Sequence, residues 1–197
     1  GVIINSNFKR MGLRMNSNFK FWDGKVTIGE NMTVSRGQRL WLDNGFGGTP
    51  EQAPYRYKSI LPVRTEDGRF SGPPGGGFSD RDNPVALSED NKDDRTKNVK
   101  IFGNVYAELQ LMKNLTFRSS FGGDYDNIFS KDIFRTYSRG FLANTTAELN
   151  LRQTHQTNWV FNNTLMYTNT FGGHSLTALA GTEAIKNTVN IFSASGK

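Results

Sequence analysis

From Arg10 to Phe21 the chain alternates between apolar and polar positions. Met11, Leu13, Met15, Phe19 and Phe21 share one parity, interrupted by Ser17. Arg10, Gly12, Arg14, Asn16, Asn18 and Lys20 share the other. A period of two puts successive side chains on opposite faces of a strand, here one apolar and one wet. Asp23-Gly24 follows, a pair suited to a tight hairpin turn because both positions tolerate positive φ. The return strand sets Val26, Ile28, Met32 and Val34 against Thr27, Gly29, Asn31, Thr33 and Ser35. Glu30 lands on the apolar side, where a bulge or a shielding neighbour would have to accommodate it.

The same pattern recurs twice. Val99, Ile101, Val105, Ala107, Leu109 and Leu111 form one arm of a hairpin. Leu115, Phe117, Phe121 and Tyr125 form the other, joined through Lys113-Asn114. A third pair runs from about Gln156 to Phe171, then from Leu176 to Ala184, with Gly172-Gly173-His174 as its turn. Between the pairs, residues 42–97 and 127–154 lose the alternation. The first of these carries Pro73-Pro74-Gly75-Gly76-Gly77 and Asn83-Pro84, too long a stretch for an ordinary connection in a compact domain.

Short turns at one end and long connections at the other describe an antiparallel meander of about six strands. Outer-membrane barrels have that asymmetry, with short periplasmic turns and long extracellular loops. A tilted membrane strand needs about nine to eleven residues, against about five or six in soluble proteins, and the strands here match the longer figure. Trp22 and Phe171 stand by short turns, Trp41 and Phe129 near long loops, where amphipathic rings meet a membrane boundary. Turning the first strand over would aim Arg10, Arg14 and Lys20 at hydrocarbon, at about 2–4 kcal/mol each at midplane. The odd face of that strand is therefore the one to meet lipid. Six strands do not close, since such barrels start at eight, so the remaining strands are expected outside this sequence.

Composition changes this picture little. No stretch is long and apolar enough for a membrane-spanning helix, which excludes helical spanning only. There are no cysteines, hence no disulfide framework or cysteine-based zinc site. The net charge of +6 resides outside the first long connection, and it forms no clustered stripe within a nucleic-acid module. Nucleic acid is not an expected partner.

Candidate chemistry is sparse. His155 and His174 lie at a strand start and in a turn, away from any nucleophile, so no catalytic residue is assigned and no enzyme is expected. Asp80, Asp82, Glu89, Asp90, Asp93 and Asp94 are oxygen donors suited to calcium, but without a calcium-loop spacing, and Lys92 and Arg95 intervene. They read as a solvated loop, with no metal or cofactor. Tyr55, Tyr57, Phe70 and Phe78 are aromatics in a polar connection, where binding residues collect, and they are the candidates for stacking on a substrate or touching a lid protein.

Several motifs then fall in one order along most of the chain: Ser6-Asn7-Phe8-Lys9-Arg10, Ile28-Gly29-Glu30-Asn31, Asn83-Pro84-Val85-Ala86, Gly103-Asn104-Val105-Tyr106-Ala107-Glu108, Leu115-Thr116-Phe117-Arg118, Thr170 to Leu176, and Ala180-Gly181-Thr182-Glu183-Ala184. In these the chain resembles the SusC/RagA group of TonB-dependent outer-membrane transporters. The resemblance implies a 22-stranded barrel in the cell outer membrane, filled by a plug and energised through TonB. It also implies contact with outer-membrane lipid and lipopolysaccharide, a SusD-like surface lipoprotein as lid, and import of oligosaccharides or peptides. No stretch matches a plug, a TonB box or the last barrel strand, so residues 1–197 read as an internal part of the barrel. The competing readings are a soluble β-sandwich carbohydrate-binding module and, further back, a β-rich enzyme.

Overall fold

Each alternating stretch forms a strand in the computed structural model, which describes residues 4–40, 55, 57–75, 77 and 80–197. The long strands are β1 (Phe8–Phe21), β2 (Val26–Arg39), β3 (Arg95–Met112), β4 (Leu115–Phe134), β7 (Glu148–Phe171) and β8 (His174–Gly196). They form one antiparallel sheet in the order β1-β2-β3-β4-β7-β8, so every long strand lies beside its successor. A helix, α1 (Pro84–Asp90), sits in the first long connection, and a small hairpin, β5 (Tyr137–Arg139) with β6 (Leu142–Asn144), sits in the second.

The strands outrun the alternation. β4 continues to Phe134 and β7 starts at Glu148, so the second connection spans residues 135–147 rather than 127–154. In β4, Ile128 and Phe129 set apolar side chains on opposite faces, and residues 152–158 of β7 are polar on both, which removes the period-two signal without removing the ladder hydrogen bonds. The first turn also differs. Phe21 pairs with Val26, leaving a four-residue turn in which Trp22, Asp23 and Gly24 all have positive φ. His174 pairs with Phe171 and opens β8, so Gly172-Gly173 alone make the third turn.

Register carries one apolar face across the sheet. The row Phe21–Val26–Leu109–Phe117–Leu165–Ala180 runs from β1 to β8. Phe21 ends β1, whereas Ala180 lies six residues from the start of β8 (180 − 174), so the turn end steps along the strands from one edge to the other. Glu30 does lie on the apolar face, with no bulge. Its cross-strand partner is Ser17, whose hydroxyl donates to the Glu30 carboxylate at 3.0 Å. The two polar interruptions of adjacent strands are thus one pair.

On the opposite face, polar side chains tie strands together. Arg118 lies across from Glu108 at 3.6 Å and over the Tyr106 ring at 4.2 Å, while Asn18 donates to the Tyr106 hydroxyl at 3.3 Å. Tyr106 can reach Asn18 two strands away because Gly29 stands opposite it; a Cβ there would overlap the ring. Asn158 donates to both oxygens of Asp124, at 3.2 and 3.1 Å.

Candidate functional site

The strands hold out two connections, and these two grip each other. Asn83 begins the grip. Its side-chain oxygen accepts from the backbone N–H groups of Val85 and Ala86, capping α1, with Pro84 in the first turn where its missing N–H costs nothing. Its amide donates to the carbonyls of Val63 at 2.8 Å and Ser71 at 3.1 Å. One wholly buried Asn therefore joins the helix to the turn-rich segment before it.

Arg139, from β5, closes the grip from the second connection. Its Nη2 lies 2.8 Å from Asp82 and 2.7 Å from Asp90, and its guanidinium covers the Tyr137 ring at 4.0 Å. Gly72 allows this approach, since a Cβ would strike the Arg139 backbone. Gly140, at φ +57°, lets Phe141 donate to the Pro73 carbonyl at 3.1 Å. Arg135 adds an ion pair to Asp93 and donates to the Asp90 carbonyl at 3.0 Å. Asp94 accepts from the Ile133 N–H at 2.8 Å. Asn5 donates to the Ser88 carbonyl and to Glu89, fastening the start of the chain to the same helix.

The acidic cluster is therefore no solvated loop. Asp82 and Asp94 are 2% exposed, and four of its carboxylates are bound to arginines or backbone across 39 to 57 residues of chain. Burial pushes the Asp82 carboxyl up from its usual range, against the pull of Arg139. The Asn5 amide, with Lys92, holds Glu89 low. Among the described residues no group of three or more His, Cys, Asp or Glu side chains is arranged to hold a metal ion. A cavity of about 360 Å³ opens between the helix, the end of β4 and the small hairpin, lined by Asp90, Asp94, Asp132, Arg135, Tyr137 and Glu148 among others.

The aromatic candidates separate. Tyr57 is buried and its hydroxyl meets Ser71 at 3.1 Å, while Ser71 donates to the Pro62 carbonyl; it packs the connection and offers no ring face to a solute. Phe70 is half-buried under the Arg64 guanidinium at 4.1 Å. Tyr55 is 91% exposed. Phe78 lies outside the described residues. Sequence reasoning missed Arg139 and Asn83, although the Asn83-Pro84 pair is a legible helix-start signal. His155 sits within β7, where its Nδ1 meets the Tyr125 hydroxyl at 3.2 Å in a cross-strand contact.

No family model matches the chain. The TonB-dependent receptor P3 of Formosa agariphila is 29% identical over 187 residues, which is 92% of this chain and 18% of the relative. Among solved structures, the RagAB peptide importer in its closed-closed state superposes over 96% of the chain with a TM-score of 0.75 at 18% identity. A second structure of the RagAB peptide transporter gives 0.74. The chain spans about a fifth of the length of each protein it matches. These similar proteins are a receptor and transporters, not enzymes. In sequence the chain is similar to part of a TonB-dependent receptor, and in fold it matches part of the RagAB transporter, which agrees with the resemblance to the SusC/RagA group.

Proposed function

We propose that the chain is an internal part of an outer-membrane active transporter that imports oligosaccharides or peptides, energised through TonB and closed by a SusD-like surface lipoprotein. The carrying observation is the sheet itself: one continuous apolar face, three tight turns at one end and two mutually gripped connections at the other. In this reading the apolar face meets lipid and lipopolysaccharide, the Arg118–Glu108 face looks into the lumen, the turns are periplasmic and the connections extracellular. The wall does no chemistry. It carries the gripped loops to where substrate and lid arrive. Tyr55 and Phe70 remain the contact candidates, the first for its exposed ring and the second for its place in the gripped connection.

The test uses the full-length protein. It should fractionate with the outer membrane and migrate differently in detergent gels with and without boiling. Labelled oligosaccharides and peptides should enter cells only when both it and TonB are present. A protein recovered soluble without detergent would sink the proposal. Entry of one substrate class alone would choose between the two.

A further inference from the structure

The polar face of the sheet carries its charge unevenly. β1 and β2 contain one carboxylate, Glu30, and it lies on the apolar face. On the polar face of the same two strands stand Arg10, Arg14, Lys20 and Arg39, and Lys100 joins them from β3. The carboxylates of that face lie further on, Glu108 near the turn end of β3, then Asp124 and Asp126 on β4.

Three of these cations surround one cavity of about 360 Å³, a size typical of small-molecule sites. Arg10, Arg39, Lys100, Ser35, Thr96 and Asn98 line it, and among the described residues no carboxylate does. The register explains the hollow. Arg10 faces Gly37, which faces Asn98, so the row lacks a side chain at its middle and Gly37 forms the floor. Arg39 and Lys100 stand on the rows to either side. The three cations lie eleven, twelve and thirteen residues from the turn ends of their strands (21 − 10, 112 − 100, 39 − 26), on the side of the gripped connections. Arg10 and Lys100 make no ion pair or side-chain hydrogen bond with another described residue. Asp126, across from Lys100, already accepts from the Asn98 amide. Ser35 is 5% exposed and borders the cavity, with its hydroxyl bound to no other described residue. Cations gathered without a counter-charge repel one another, and an anion among them relieves that cost.

We propose that this cavity binds the acidic groups of the imported substrate, and that the substrate is an oligosaccharide bearing carboxylates or sulfates. The site rests on the transporter reading above and narrows it. Arginine and lysine only donate hydrogen bonds, so the lining asks for a ligand rich in acceptors. The backbone groups of β2 and β3 are taken by ladders on both sides, and a peptide would bring N–H groups for which the lining has few acceptors. Sugar hydroxyls turn to donate or accept as needed, and carboxylate or sulfate oxygens only accept. The Phe8 ring, 66% exposed and across from Arg39, gives the C–H face of a sugar an apolar surface beside the charges.

The experiment titrates the full-length protein in detergent, by calorimetry, with trigalacturonate, a sulfated κ-carrageenan tetrasaccharide, neutral maltotriose and triglutamate. Wild type should bind one of the acidic saccharides about tenfold or more tighter than maltotriose or triglutamate. Arg10→Gln with Lys100→Gln should weaken that binding by about a hundredfold, since each charged hydrogen bond lost is worth about tenfold. Gly37→Leu keeps every charge but fills the floor, and should weaken it as well. Arg14→Gln with Lys20→Gln, an equal loss of charge on the same face outside the cavity, should leave it unchanged. Heat-dependent mobility in gels checks that each variant folds. A heat-modifiable wild type that binds neither acidic saccharide above maltotriose overturns the site alone. So does a folded Arg10, Lys100 double variant that binds as wild type, or an equal loss in the Arg14, Lys20 control. Tighter binding of triglutamate gives the cavity to acidic peptides and overturns the saccharide assignment. A protein soluble without detergent overturns the transporter reading and the site with it.

Discussion

The wall and the gripped connections solve opposite problems. In the wall, apolar side chains such as Met11, at 78%, and Leu13, at 60%, remain exposed, while the backbone is paired across long ladders between neighbouring strands. In the connections, the two largest side chains that bury completely are polar, Asn83 at 0% and Asp82 at 2% exposure. Among the described residues the buried apolar side chains are Leu40, Tyr57 and Ala86. An apolar face left open needs lipid to cover it, and its register is specified by which side must stay dry. A loop in water has no such solvent to sort it, so directional contacts must fix it, and each buried polar group must find its partner.

Removing Arg139 should break the contrast most. Arg139→Ala leaves the Asp82 carboxylate buried without its cation, a loss of about 3–5 kcal/mol for a buried pair. Amide exchange should speed up around α1 and the small hairpin while barrel mobility in gels stays unchanged. Coupled unfolding of the wall would show that the regions are one unit.

Met15→Arg, six residues from the turn end (21 − 15), is the reciprocal test, costing about 2–4 kcal/mol of folding into bilayers near the midplane. Asn16→Arg, on the other face, should fold as wild type. Equal penalties for the two would erase the distinction between faces. Gly29→Val should displace the Tyr106 ring at about 1–3 kcal/mol, the usual cost of overpacking, and detach Asn18. A Tyr106 fluorescence or ring-NMR change confined to that site would check it.

The smallest effect is in pH. Asp82 has its carboxyl raised in the folded protein, so its contribution is fully present below the ordinary aspartate value of about 4 and is lost as pH rises through the raised value. Loop amide protection should therefore fall across that window in the wild type, and the Asp82→Asn variant should not share that step.

The strands and faces were legible because a sheet with one apolar face enforces period two over a dozen residues. Met11 to Phe21 and Leu115 to Tyr125 need no partner to reveal themselves. Glu30 was legible as an anomaly but not as a solution, because Ser17 becomes its neighbour only once the hairpin register is known. The grip left no sequence pattern at all. Asp82 and Arg139 are 57 residues apart (139 − 82), and a carboxylate destined for burial has the same local surroundings as one bound for solvent. Phe134 and Glu148, the true ends of β4 and β7, were missed because Ile128 and Phe129 fall on opposite faces and residues 152–158 are polar on both, which breaks the alternation.

The stepped turn end has a geometric consequence. Six residues of offset across five strand steps, at about 3.3 Å per residue and 4.8 Å per strand, correspond to a tilt of about 40°, within the range of closed barrels. At that tilt about ten residues cross an apolar band about 25 Å tall. β7 has 24 residues, so in the proposed barrel the remaining fourteen (24 − 10) would rise about 35 Å beyond the hydrocarbon. In the proposed barrel the hairpins would therefore also be stalks, with Arg139 locking their heads together well clear of the membrane surface.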